Sequence, residues 1–422
     1  MATTPDTSSI GAIVEEHAEE ASFLWLQRRS AVHAPNYSPQ QFADLDERLE
    51  AHIDGLRVAE EEGWKVAEAA LDNEGPEDFF PASVLAIEAP DHRFARVLER
   101  AEASVDVAPG LISAMGWVDP RFLSGRVKAL LGTASPFQQA VGLAACALHR
   151  RDPGPALETA IIAPNARVRA RALRCAGELG RLDLLPAIAA ASGDAKQEAR
   201  FWAAWSGVLL GDRRTSLDGL AACALKPGPR QRRSLTLALQ AMHMEPGHEL
   251  LMQLTRLPDA DRLRVIGAGV VGSIRYVPWL IEQMTNPLLA RVAGEAFVTI
   301  TGADFNLDQL EAMPPQDFED GPTEDPADEN VEVPEDVALP WPDVDRVKTW
   351  WTRHAARFDP STRYFVGAPL SVASCRAVLT HGSQRQRVAA AYHLSLLSPG
   401  TPLFNTSAPA WRQQTALAAG SH

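Results

Sequence analysis

Apolar residues recur along this chain at the three-and-four spacing of an amphipathic helix, and between Ser135 and Asp304 the arrangement itself recurs about every thirty residues. The clearest unit, ARVRARALRCAGELGRLDLLPAIAAASGDAK (Ala166 to Lys196), predicts a helix ending at Gly180, a short polar turn, a second helix containing a proline, and a Gly-Asp stop. An arginine opens the first helix of each unit: Arg169, Arg200, Arg233, Arg264 and Arg291, at spacings of 31, 33, 31 and 27. Eleven residues beyond three of these stand the helix-ending glycines Gly180, Gly211 and Gly302. A single helix pair cannot bury its apolar face alone, so pairs at a fixed period predict an all-α, right-handed solenoid of six or seven pairs.

The flanks keep the helical period and lose the repeat. Residues 1–8 read as a flexible N-terminus and 9–105 as an N-terminal helical region capping the array. There IVEEHAEEASFLWLQRRSAV forms one amphipathic helix, and Ser38-Pro39 opens a second that closes at Gly63. Shorter helices follow near 64–72, 77–88 and 92–104, and 107–133 resembles a degenerate first repeat. The repeats occupy 106–312. Residues 313–340, rich in proline and acid, read as a linker or surface insertion. Residues 341–422 supply closing helices, with Arg387 at the place of the repeat arginine.

Composition changes this picture little. Hydrophobic residues are 46% and charged ones 22%, an ordinary globular balance. No apolar run approaches the roughly eighteen residues a membrane span needs, and the first residues lack the pattern of a signal peptide. Cys146, Cys175, Cys223 and Cys375 sit singly in helical patterns and read as small buried hydrophobes in a reducing compartment, so the expected location is cytoplasmic. The net charge of −14 is local: residues 304–345 hold fifteen acids and no Lys or Arg, leaving the remainder at about +1.

Chemistry is sparse. Gly267-Ala268-Gly269 lacks the third glycine of a dinucleotide loop and reads as close helix packing. His248-Glu249 is a lone His-Glu dipeptide, whereas a di-iron hydroxylase built on helical repeats needs several; no metal or cofactor is expected. The arginine series admits three roles. It can hold neighbouring units in register through acids such as Asp194, Asp259 and Asp261, present a face to a protein, or track phosphates. The near-neutral body disfavours the last. Trp202 and Trp205 share a helix face and read as core, while Trp350 and Trp351 point about 100° apart, so one of them can anchor a partner.

Two blocks carry a family resemblance. EEHAEEASFLWLQR with LDERLEAHIDGLRVA (Leu45 to Ala59), and at the other end RYF.G.PL, QRQRVAAAYHL and PLFNTSAPAWRQ, resemble the opening and closing motifs of a bacterial family of HEAT-like-repeat proteins. The middle is similar to phycobilisome-lyase-type HEAT repeats. Members are typically encoded near type VI secretion genes, and the family carries no defined catalytic residues. The resemblance implies a non-enzymatic scaffold for a protein partner, such as an effector, a spike or an adaptor. Its binding face would include Arg169, Arg200, Arg233, Arg264, Arg291 and Trp350 or Trp351. The competing readings are a helical-repeat metal-dependent hydroxylase and a HEAT-like nucleic-acid-binding or base-excision protein.

Overall fold

A computed structural model describes residues 7–316, 318 and 335–420. The described chain is helical almost throughout, with only two two-residue antiparallel ladders. It divides into two units: the first holds residues 1–33, 37–203 and 402–422, the second 34–36 and 204–401.

The first unit opens with α1 (Thr7–Ala31), α2 (Pro39–Val58), α3 (Glu60–Ala70), α4 (Pro76–Glu88) and α5 (Arg93–Ala103). Thr7 and Ser8, expected to be flexible, already belong to α1; residues 1–6 lie outside the described residues. Ser38 starts α2 through a capping box with Gln41, and Pro39 fits where no helical N–H is needed. The single helix expected over 39–63 is broken. Glu60 takes φ 51, and Gly63 sits where a Cβ would lie 2.1 Å from the Leu56 carbonyl oxygen, so α3 folds back against α2. Then come α6 (Ala108–Trp117), α7 (Arg126–Gly132), α8 (Pro136–Leu148), α9 (Pro155–Ile161), α10 (Ala166–Leu179) and α11 (Leu185–Ala190). Helix α8 packs on α6 and α10, with α7 against α8 and α9 against α10. The core of the unit gathers Leu49, Ile53, Phe80, Leu111 and Met115.

The division falls within α12 (Gln197–Leu209). In the second unit α13 (Thr215–Ala224), α14 (Gln231–Ala241), α15 (Met244–Leu254), α16 (Asp261–Val271), α17 (Val277–Gln283) and α18 (Ala290–Thr301) follow. Helices α14, α16 and α18 pack successively, each backed by α13, α15 or α17. The strand β1 (Glu311–Ala312) pairs with β2 (Trp341–Pro342), closing the base of the acidic stretch, most of which lies outside the described residues. Next are α19 (Val344–His354), the hairpin β3 (Tyr364–Phe365) and β4 (Ala368–Pro369), α20 (Val372–His381) and α21 (Gln384–Leu397). The last helix, α22 (Ala410–Ala419), packs on α2 in the first unit.

Candidate binding surfaces

The repeat arginines are held in different ways. Arg169 makes a paired bond to the Asp194 carboxylate at 2.8 and 3.0 Å and donates to the Ala163 and Pro164 carbonyls, tying the turn before α10 to the turn before α12. Asp194 in turn holds Arg200 through its backbone carbonyl. The Arg169 hydrogen bond keeps the Asp194 carboxyl below its usual range. Arg264 bonds Asp261 at 2.8 Å and lies 5.3 Å from the centre of the Trp279 ring. Arg291 is buried at 6% exposure, and Arg233 is exposed. Trp350 packs on Phe297 and His354, and Trp351 on Phe358; both are half-buried.

A concave surface lies elsewhere, in the first unit. Helices α6, α8 and α10 and the start of α12 enclose a groove of about 560 Å³. Its floor is apolar, from Ile112, Phe137, Val141 and Ala170, because small residues at Ala108, Ala140, Ala166 and Ala170 keep the facing helices from filling the space. Arg167, Arg171, Arg174 and Lys196 line it, with Glu198. Trp202 forms one wall. Its Nε1–H donates to Glu198 at 2.7 Å, and the Arg174 guanidinium lies 4.7 Å from the ring centre.

Beneath the groove the buried Glu178 carboxylate accepts from Arg171 at 2.5 Å and Arg174 at 2.9 Å. Burial alone would raise its pKa, but Arg171, Arg174 and Arg150 outweigh that and hold it at about 2. One carboxylate therefore fixes two of the four cations, while Arg167 and Lys196 stay exposed at the mouth. Volume and lining fall in the range of natural ligand sites. The hydrophobic period alone gives these alanines no distinct role. The available signal was Ala166 and Ala170 one turn apart beside a run of arginines.

The remaining candidates are accounted for locally. His248 Nδ1 lies 2.7 Å from the Tyr276 hydroxyl, and burial lowers the His248 pKa. Among the described residues no three His, Cys, Asp or Glu side chains gather as a metal would require. Burial pushes the thiols of Cys146, Cys175 and Cys375 up to about 11, 12 and 11. No described helix is long and apolar enough to cross a membrane.

The opening block and one closing motif behind the resemblance, PLFNTSAPAWRQ, meet in the first unit. Arg28 and Asp46, one from each half of the opening block, form a buried ion pair. Arg28 also donates to the carbonyls of Ser407 and Ala408 in the closing block. No protein-family model matches the chain, and no curated protein matches it.

Proposed function

We propose that the chain is a non-enzymatic, cytoplasmic protein-binding scaffold, an α-solenoid of HEAT-like repeats with an N-terminal helical cap. By its sequence resemblance it serves as an accessory of type VI secretion: an adaptor, chaperone or effector-binding protein. The observation that carries the binding part is the groove of about 560 Å³, apolar on its floor and basic at its mouth. Its occupant is an apolar segment of a protein partner with acidic flanks, which would bury its apolar side and meet Arg167 and Lys196 at the rim.

The test is capture from cells expressing the neighbouring genes, with the native chain and the Arg167→Glu/Lys196→Glu variant compared side by side. Both side chains are exposed, so the variant folds. A secretion protein retained by the native chain and depleted at least tenfold by the variant supports the reading. Equal retention removes the groove, and capture of no secretion protein removes the assignment. A stoichiometric iron pair in the purified chain would favour the hydroxylase, and salt-dependent binding to duplex DNA the base-excision reading.

A further inference from the structure

A second site, independent of the groove, lies in the second unit, where the end of the acidic stretch meets arginines from four helices. Asp336 is 4% exposed; its carboxylate lies 3.0 Å from Arg262 on α16 and 3.6 Å from Arg291 on α18. Its neighbour Glu335 pairs with Arg232 on α14. The backbone carbonyl of Glu335 accepts from Arg385 on α21 at 2.8 Å, and the same guanidinium is braced by Glu295 at 2.8 Å. Burial and the nearby Arg385 charge pull the Arg232 pKa down, as expected where cations crowd with too few anions. Glu335 and Asp336 supply two of the acids that these arginines meet, beside Glu295.

These arginines recognise more than charge. They take two successive acidic side chains and the main-chain carbonyl between them, here at the start of a turn, which is the signature of a peptide segment. A lone anion or a nucleic-acid backbone has no equivalent of that carbonyl, and Glu295 in the wall limits how much negative charge fits. The contacts are unequal. Asp336 is buried, whereas the Glu335 side chain is 63% exposed and that of Arg232 38%. Exposed pairs of this kind contribute roughly 0–1 kcal/mol, so the outer contact opens readily and gives an incoming segment its foothold.

We infer that Arg232, Arg262, Arg291 and Arg385 form a binding site for a diacidic peptide segment of a protein partner, which the chain's own Glu335-Asp336 fills until displaced. A tethered occupant acts at an effective concentration on the order of millimolar. The native chain therefore binds a competitor weakly, and removing the internal acids unmasks the site.

The probe is a fluorescent peptide copying residues 330–341, titrated into the full-length chain and followed by anisotropy, beside a control peptide with Gln and Asn in place of the two acids. The Glu335→Gln/Asp336→Asn chain should bind the acidic peptide at least tenfold more tightly than the native chain and ignore the control. Adding Arg232→Ala and Arg262→Ala should abolish the gain. Because Asp336 is buried, Glu335→Gln alone provides the variant that is sure to fold, with an expected gain of at least threefold. No gain in Glu335→Gln, or equal binding of acidic and control peptides, overturns the inference. So does unmasked binding of duplex DNA in place of the peptide.

Discussion

Arg28 shows how much one buried side chain can organise. Its guanidinium lies between the rings of Phe42 and Trp117, at 4.8 and 5.0 Å, and pairs with Asp46, which is fully buried. The second Asp46 oxygen accepts from the Ala410 N–H at 2.7 Å. Every partner is fixed, so removing one strands the others. Asp46→Ala should cost about 3–5 kcal/mol in urea unfolding, and Arg28→Met/Asp46→Leu much less, because an apolar pair leaves no bare charge. Two histidines act differently. Burial holds His393 down to about 3 and, with Arg412, His149 down to about 4. Both lie below the ordinary 6.5, so as the pH falls the unfolded chain takes up these protons first. Stability is therefore full above about pH 6.5 and declines towards pH 4, by at most about 1.4 kcal/mol per pH unit for each histidine. His393→Gln should lessen the slope of unfolding free energy between pH 6.5 and 4.5 by up to about 1.4 kcal/mol per pH unit; an unchanged slope would refute the assignment.

At the scale of elements, the informative places are the C-terminal ends of the helices. Gly180, Gly272 and Gly302 end α10, α16 and α18 with φ of 70°, 70° and 67°, the left-handed cap that glycine adopts without strain. In the second unit the Tyr364–Pro369 hairpin runs across such ends. Tyr364 N–H donates to the Gly272 carbonyl at 2.8 Å and Val366 N–H to that of Thr299 at 2.7 Å. Arg363 donates to the carbonyls of Leu239, Gln240, Met242 and Val270, and burial lowers its pKa to about 10. A Cβ on Gly302 would lie 2.8 Å from the Gly367 Cα. Gly302→Ala should therefore cost about 2 kcal/mol or more by thermal unfolding, the left-handed φ and the clash acting together. The glycines and the arginine period were legible because both are local, set by helix geometry and repeat length. Three features were not. They are the break at Glu60, the groove left by four alanines, and the convergence of Arg232 and Arg262, rather than Arg233 and Arg264, with Arg291. The first turns on one positive φ and the close approach of Gly63 to Leu56, and the other two on neighbours far along the chain, which no local period encodes.

For the molecule as a whole, the order of the chain matters as much as its contacts. The first unit is assembled from the beginning, the middle and the end of the sequence. Leu403 bonds the Glu178 carbonyl at 3.0 Å, Asn405 that of Leu148 at 3.0 Å, and Arg412 those of Gly116, Trp117 and Val118. Ending the chain after Thr401 should lower the melting transition of this unit by on the order of 10 °C. A peptide of residues 402–420 supplied separately should restore most of it; no restoration would mean that the segment does not seal the unit. Arg28 and Ser407 stand 379 positions apart. At a synthesis rate of 5–20 residues per second, Arg28 waits roughly 20–75 s on the ribosome for its last acceptors. A part of the chain made early is thus finished by one made much later, and a transcript cut short between the two yields a product that cannot close around Arg28.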